Sequence, residues 1–500
     1  MSAVAGRRGG ILLHLTSLPS PGAIGQLGPA AEAFVDWLAA ADQAVWQILP
    51  SGPPGFGDSP YGAHSSRAGN PLLISPLELF ESGLLPRSVL PSSPATPRVD
   101  FARAREDQER ILGHAFKAYE QRPEVRVRFE ELLAPEASWL DDWSLFAALK
   151  EAHEGAPWTA WEDPLRDRRR EDLDRTRHRL RHRIAFHRFV QGCFLEQWRR
   201  FRRRVRAAGV QVLGDLPIYC SADSVEVWQR RDLFELAADG HPSHVAGVPP
   251  DYFSPRGQTW GNPLYRWDRH RAEGFRWWTD RLASALQRFD LLRLDHFRGF
   301  EAFWRIPANA ESAAAGEWRP GPGGDLFTAF VGTREGLAPL IAEDLGVVTP
   351  EVEALRRSFD LPTMRVLQFA FDEPGSVHLP HAIPRRAVVY TGTHDNDTTV
   401  GWWRSLGDQA KRRARSYLGP GPIHSALQRA AYTSPAELAI LPAQDVLGLG
   451  PEARMNRPGS AVGNWAWRLS PQDLGTGEAE RLAELIAVSD RGPETETAAG

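Results

Sequence analysis

Residues 291–300, LLRLDHFRGF, start as an apolar run and then carry Arg293, Asp295, His296 and Arg298. Arg293 and Asp295 stand two apart, so in an extended strand their side chains face the same way. Charge at the end of a buried strand suits a parallel barrel, where the C-terminal strand ends converge on one mouth.

Seven further short runs fit that architecture: GILLHL (10–15), AVWQIL (44–49), VQVLGDL (210–216), PLIAED (339–344), TMRVLQFAF (363–371), AVVYTG (387–392) and LAILPA (438–443). With FDLLRLD (289–295) they make eight candidate strands. Helix-like stretches intervene, such as PAAEAFVDWLAAAD after the first and VTPEVEALRRSFD after the fifth. Eight strands alternating with helices point to an α/β fold, a (β/α)8 TIM barrel, spanning 1–500 as a single catalytic domain. About 160 residues separate the second and third runs, far beyond an ordinary loop. This implies a mainly helical insertion over about 77–205. The Pro-, Gly- and aromatic-rich segment VAGVPPDYFSPRGQTWGNPLY suggests lid-forming loop insertions over about 217–288. Residues 485–500 read as a frayed tail.

Composition narrows the function classes. The chain is 42% hydrophobic and 24% charged, an ordinary globular balance, with a net charge of −4 that gives no pull toward nucleic acid or an anionic membrane. The Arg-rich run 166–206 resembles a cationic patch, but Ile184, Phe186, Phe189, Val190, Phe194, Leu195 and Trp198 recur at roughly helical spacing within it. Its arginines then belong to the solvated face of long helices. Two cysteines, Cys193 and Cys220, give no disulfide framework, and no apolar run approaches ~18 residues. The expectation is a soluble cytoplasmic protein. Eighteen tryptophans suit either a large core or stacking on sugar faces.

The strand ends carry acids: Asp215 on the third, Asp295 on the fourth, Glu343 and Asp344 on the fifth, and TGTHDND, with His394, Asp395 and Asp397, after the seventh. A guanidinium beside a carboxylate keeps it ionised, as attack on an anomeric carbon requires. A second carboxyl raised by neighbouring negative charge serves as general acid. Two such groups about 5–5.5 Å apart give retaining glycosidic chemistry. The plain alternative is an ion-pair network tying strand ends together. A metal site built on His296 and His394 lacks any HxH or HExxH spacing. GFGDSPYG (55–62) can be a mere turn, and Trp260 a core residue.

Several long motifs in one order resemble a known family: GILLHLTSLPSPGAIGQLG, GDSPYG, AGNPLLISP, WLDDWSLFAALK and GDLPIYCSADSVEVW. They continue with PPDYFSPRGQTWGNPLY, RLDHFRGF, IAEDLGVVTPEV, TGTHDNDTTVGWW and RMNRPGSAVGNWAWR. The chain is similar, over essentially its whole length, to the 4-α-glucanotransferases of glycoside hydrolase family 77, the amylomaltases or disproportionating enzymes. The resemblance implies that Asp295 is the nucleophile, Glu343 the general acid/base, and Asp395 the third carboxylate, holding ring hydroxyls of the donor sugar. It further implies substrate contacts by Arg293, His394, Asp215, Ser59, Tyr61, Trp260, Tyr252, Phe253 and Asn464. The partners it implies are α-1,4-glucans such as maltodextrins and starch or glycogen fragments, with glucose as acceptor. It implies no cofactor, no metal, no nucleic acid and no membrane. Leu15 and Phe56 stand where the family usually has Pro and Tyr, and GAHSSRAGN replaces a commoner QSFSAFAGN-type segment. An α-glucan hydrolase and an inactive glucan-binding protein remain the rival readings.

Overall fold

The computed structural model describes residues 6–250, 256–333, 339–460 and 462–492. Its strands in chain order are β1 (Arg8–Leu12), β2 (Val45–Gln47), β3 (Gln211–Leu216), β4 (His244–Val248), β5 (Gln258–Pro263) and β6 (Leu291–Leu294). They continue as β7 (Ala302–Pro307), β8 (Glu317–Pro320), β9 (Leu340–Ala342), β10 (Thr363–Val366), β11 (Ala387–Tyr390) and β12 (Leu438–Pro442). Eight form one parallel sheet in the order β10-β11-β12-β1-β2-β3-β6-β9. Ala342 N–H donates to Pro362 O at 3.1 Å across the seam between its first and last strands, so the sheet curls into a barrel. Each of the eight expected runs supplies one barrel strand. Parallel strands are covered on both faces, which is why they read as continuous apolar runs; β6, β9, β11 and β12 are buried at every position.

Helices wrap the outside. Pro29–Ala40 follows β1, and Thr476–Val488 follows β12 and packs beside it, with Trp37 Nε1 donating to Gly475 O at 3.1 Å. Between β2 and β3 the chain is largely helical, including Phe101–Glu120, Pro123–Leu133, Ala137–Ala152, Arg170–Arg179 and Arg181–Ala207. The last of these buries Phe186, Phe189, Phe194, Trp198 and Phe201. Its arginines are largely matched by acids: Arg183 reaches Glu151 at 2.6 Å, Arg188 reaches Glu130 at 3.1 Å, and Arg204 pairs with Asp36. The Arg-rich run is a solvated helix face whose charge its neighbours neutralise.

Two expected boundaries need correction. The segment 217–288 is not a unit of its own. An antiparallel sheet, β5-β4-β7-β8, takes two strands from it and two from 302–320, around a small core of Val245, Ile306 and Ala313. Helix Arg276–Arg288, meanwhile, turns Trp277, Trp278, Leu282 and Ala285 inward and belongs to the barrel wall before β6. Residues 485–492 are ordered rather than frayed. The last helix runs to Val488, and Arg491, with no exposed surface, donates to Tyr432 O and Ser434 O at 2.5 and 2.8 Å. Residues 493–500 lie outside the described part. Among the described residues no helix is long and apolar enough to cross a membrane.

Candidate active site

The β3–β6 register sets Asp215 opposite Arg293, both almost wholly buried. Arg293 Nε donates to Asp215 Oδ1 at 3.0 Å and Nη2 to Oδ2 at 2.7 Å, a bidentate pair. Tyr61 O–H donates to Asp215 Oδ2 at 2.6 Å while its oxygen accepts from Arg293 Nη2 at 3.3 Å. That same Nη2 donates to Asp295 Oδ1 at 2.8 Å. Asp295, one residue past β6, keeps 28% of its side chain open to solvent. This answers the charge of residues 291–300: Arg293 is buried because two carboxylates and a phenol satisfy it.

Glu343 follows β9 and is held by backbone. Its Oε2 accepts from His296 N–H at 2.8 Å and its Oε1 from Leu345 N–H at 2.9 Å. His296 has a φ of 49°, an uncommon left-handed conformation for a non-glycine residue. That conformation accompanies the turn that points its N–H at Glu343.

Burial pushes the Asp295 carboxyl up; Arg293 opposes this, and the negative charges of Asp215, Glu343 and Asp395 add to it. Burial also raises Glu343, against Arg293 and the two N–H donors. The expected contact between Arg293 and Asp295 is present, and desolvation and the neighbouring acids act against it. Burial and the neighbouring acids thus push in one direction on both carboxyls, and Arg293 pulls in the other.

Across the mouth, the turn after β11 presents His394 and Asp395. His394 stacks on Tyr61, with centroids 5.2 Å apart and planes at 13°, and lies 6.0 Å from Trp465. Burial lowers its pKa, more than Asp395 raises it, so the ring is neutral near pH 7. The Asp395 side chain is 46% exposed, with His394 Nε2 3.4 Å from its Oδ2.

Trp260 on β5 is 38% exposed and meets the His296 ring edge-on at 4.8 Å. Ser59 accepts from Tyr61 N–H at 3.2 Å and shapes that turn. Asn464 spends its amide inside its own loop, accepting from Arg457 N–H at 3.0 Å and donating to Ser460 O at 2.8 Å. Tyr252 and Phe253 lie outside the described residues. Asp344 turns away to Thr363 Oγ1 and Met364 N–H, tying β9 to β10. Arg298 stacks 3.8 Å from the Trp318 ring.

Sequence reasoning passed over Asn456, Arg454 and His14. Asn456 Nδ2 donates to Asp395 Oδ1 at 2.6 Å, and Arg454 Nη2 to Asp395 O at 2.6 Å. His14 lies two residues past β1, in the apolar run 10–15, buried, its pKa lowered to about 3 by desolvation and by His394. A polar side chain inside a strand run was the one available signal for it. Among the described residues no group of three or more His, Cys, Asp or Glu could hold a metal ion. Both thiols are buried, and burial pushes Cys220 up to about 11.

A family model described as 4-alpha-glucanotransferase matches residues 13–474. A 4-alpha-glucanotransferase of Thermus thermophilus is 46% identical over 96% of this chain and 98% of its own. A chloroplastic/amyloplastic 4-alpha-glucanotransferase of Solanum tuberosum is 40% identical over 97% of this chain and 86% of its own. Among solved structures, an amylomaltase from Streptococcus agalactiae in complex with acarbose superposes with a TM-score of 0.94 at 36% identity, covering 97% of this chain and all of its own.

Proposed function

The chain belongs to the 4-alpha-glucanotransferases of glycoside hydrolase family 77 and acts on α-1,4-glucans, and from that premise we propose which residues carry the reaction. Glu343 protonates the departing glycosidic oxygen as Asp295 attacks the anomeric carbon. The C1–O bond to the leaving sugar breaks, and a β-linked ester to Asp295 forms. Glu343, now ionised, takes the proton of an acceptor 4-hydroxyl, and that oxygen displaces Asp295 to give a new α-1,4 bond. Two inversions give net retention.

The observation that supports this best is geometric: Asp295 accepts from Arg293 at 2.8 Å, and Glu343 is held beside it in the fold by the N–H groups of His296 and Leu345. The first step needs one ionised and one protonated carboxyl. Arg293 gathers positive charge beside Asp295, which favours placing the negative charge there and the proton on Glu343. Asp395, half open at the mouth, is suited to accept from ring hydroxyls of the donor sugar. Trp260, against His296, restricts the solvent side, so that a bound acceptor competes with water for the intermediate. The donors are maltodextrins or starch and glycogen fragments, and glucose serves as an acceptor. Two buried free thiols suit a reducing compartment such as the cytoplasm.

Incubation of the pure protein with maltotriose tests the reading. Glucose and a ladder of longer maltodextrins are expected, with total reducing ends constant. Shortening alone with rising reducing ends would make the protein a hydrolase.

A further inference from the structure

We infer that Asn456 is a positioning residue for the Asp395 carboxylate, with Arg454 fixing the backbone beneath it. The inference rests on the reading of Asp395 as the carboxylate that holds the donor sugar. Three hydrogen bonds tie residues 454–456 to the turn at 394–395. Asn456 Nδ2 donates to Asp395 Oδ1 at 2.6 Å, Arg454 Nη2 to Asp395 O at 2.6 Å, and Asn456 N–H to His394 O at 3.1 Å. Arg454 Nε closes the clamp on Asn456 O at 2.7 Å, and Trp465 N–H holds Met455 O at 2.8 Å.

The chemistry of the donor matters. Among the described residues Asn456 is the one hydrogen-bond donor to the Asp395 side chain; His394 Nε2 stands farther off, at 3.4 Å, on a neutral ring. A carboxylate with 46% of its side chain in solvent swings between rotamers unless something holds it. A neutral amide holds it without cancelling its charge. An Arg or Lys in that place would neutralise the negative charge that a cationic, oxocarbenium-like transition state draws on. With Oδ1 engaged by Asn456, Oδ2 is left to face the sugar hydroxyls. The clamp thus fixes geometry where a displacement of about 1 Å costs on the order of 100-fold in rate.

Steady-state disproportionation of maltotriose by Asn456→Ala, Asn456→Asp, Asp395→Asn and the Asn456→Ala/Asp395→Asn double variant tests this, with thermal unfolding measured alongside. Asn456→Ala should lower kcat about 10- to 100-fold while KM stays within about threefold. Asn456→Asp keeps the shape and removes the donor, and should lose at least as much. In the Asp395→Asn background, Asn456→Ala should cost little more. Wild-type kcat in Asn456→Asp, a loss confined to KM, or full additivity in the double variant would overturn the inference. Wild-type turnover by Asp395→Asn would overturn the reading of Asp395 first, and the inference with it; impaired Asp395→Asn with intact Asn456→Ala would overturn the inference alone.

Discussion

Arg293 serves two carboxylates with one guanidinium, and its loyalty to Asp215 sets where Asp295 stands. Tyr61 reinforces the arrangement by donating to Asp215 from a loop 154 residues away. Tyr61→Phe removes that hydroxyl and keeps the ring stacked on His394. A hydrogen bond to a charged group contributes about 1.5–3 kcal/mol, so kcat/KM should fall roughly tenfold or more with little loss of fold, as maltotriose kinetics and a melting curve will show. Asp295→Ala should abolish turnover yet leave maltodextrin binding measurable by calorimetry; turnover near wild type would remove Asp295 from the chemistry. The acids at strand ends were legible because a charge closing an apolar run is conspicuous. Asn456 was not, since an uncharged amide in a loop 61 positions from its partner leaves no periodicity to read. Asp344 stands next to Glu343 in sequence, but adjacent side chains on a strand end diverge, and its carboxylate bonds to β10.

At the scale of the element, β3 brings Asp215 to Arg293 through Gly214. A Cβ on Gly214 would stand 2.3 Å from the Phe289 ring. Gly214→Ala must therefore displace a buried aromatic, at a cost of about 1–3 kcal/mol. A lower melting temperature and a reduced kcat are expected together, because Asp215 is the next residue. β5 carries Trp260 over His296, so Trp260→Ala should raise the ratio of hydrolysis to transfer, read as reducing ends released per glucosyl transferred. An unchanged ratio would take Trp260 out of water exclusion. All eight barrel strands could be read from their largely apolar runs. The four strands of the second sheet could not: β8 is exposed at every position and β5 is interrupted by Gly261 and Pro263, so neither shows alternation or a run.

The whole molecule holds several histidines in neutral form. Desolvation lowers His14 to about 3 and His270, His296 and His378 to about 4. Each is depressed below its unfolded value near 6.5, so the unfolded chain binds more protons as pH falls. Stability is therefore intact above pH 6.5 and lost as pH drops toward the folded values, by about 1.4 kcal/mol per pH unit for each group. Glu78, raised to about 7 by burial, works the other way across part of this window, so a single-site test is cleaner. His270 has no exposed surface and packs among Tyr265, Trp267 and Trp277. His270→Phe should make the fall in melting temperature between pH 6.5 and 4 shallower; an unchanged slope would mean that His270 does not titrate with folding.

The covalent step is the centre of the account, and trapping it tests it most directly. A Glu343→Gln variant cannot activate an acceptor, but α-maltosyl fluoride needs no acid to expel fluoride. Mixed with this donor, digested and weighed by mass spectrometry, the variant should carry a maltosyl group on the peptide containing Asp295, and the further change Asp295→Asn should abolish it. An adduct on another carboxylate would contradict the assignment of Asp295. Release of β-maltose or transfer products with a single inversion and no adduct would contradict double displacement itself.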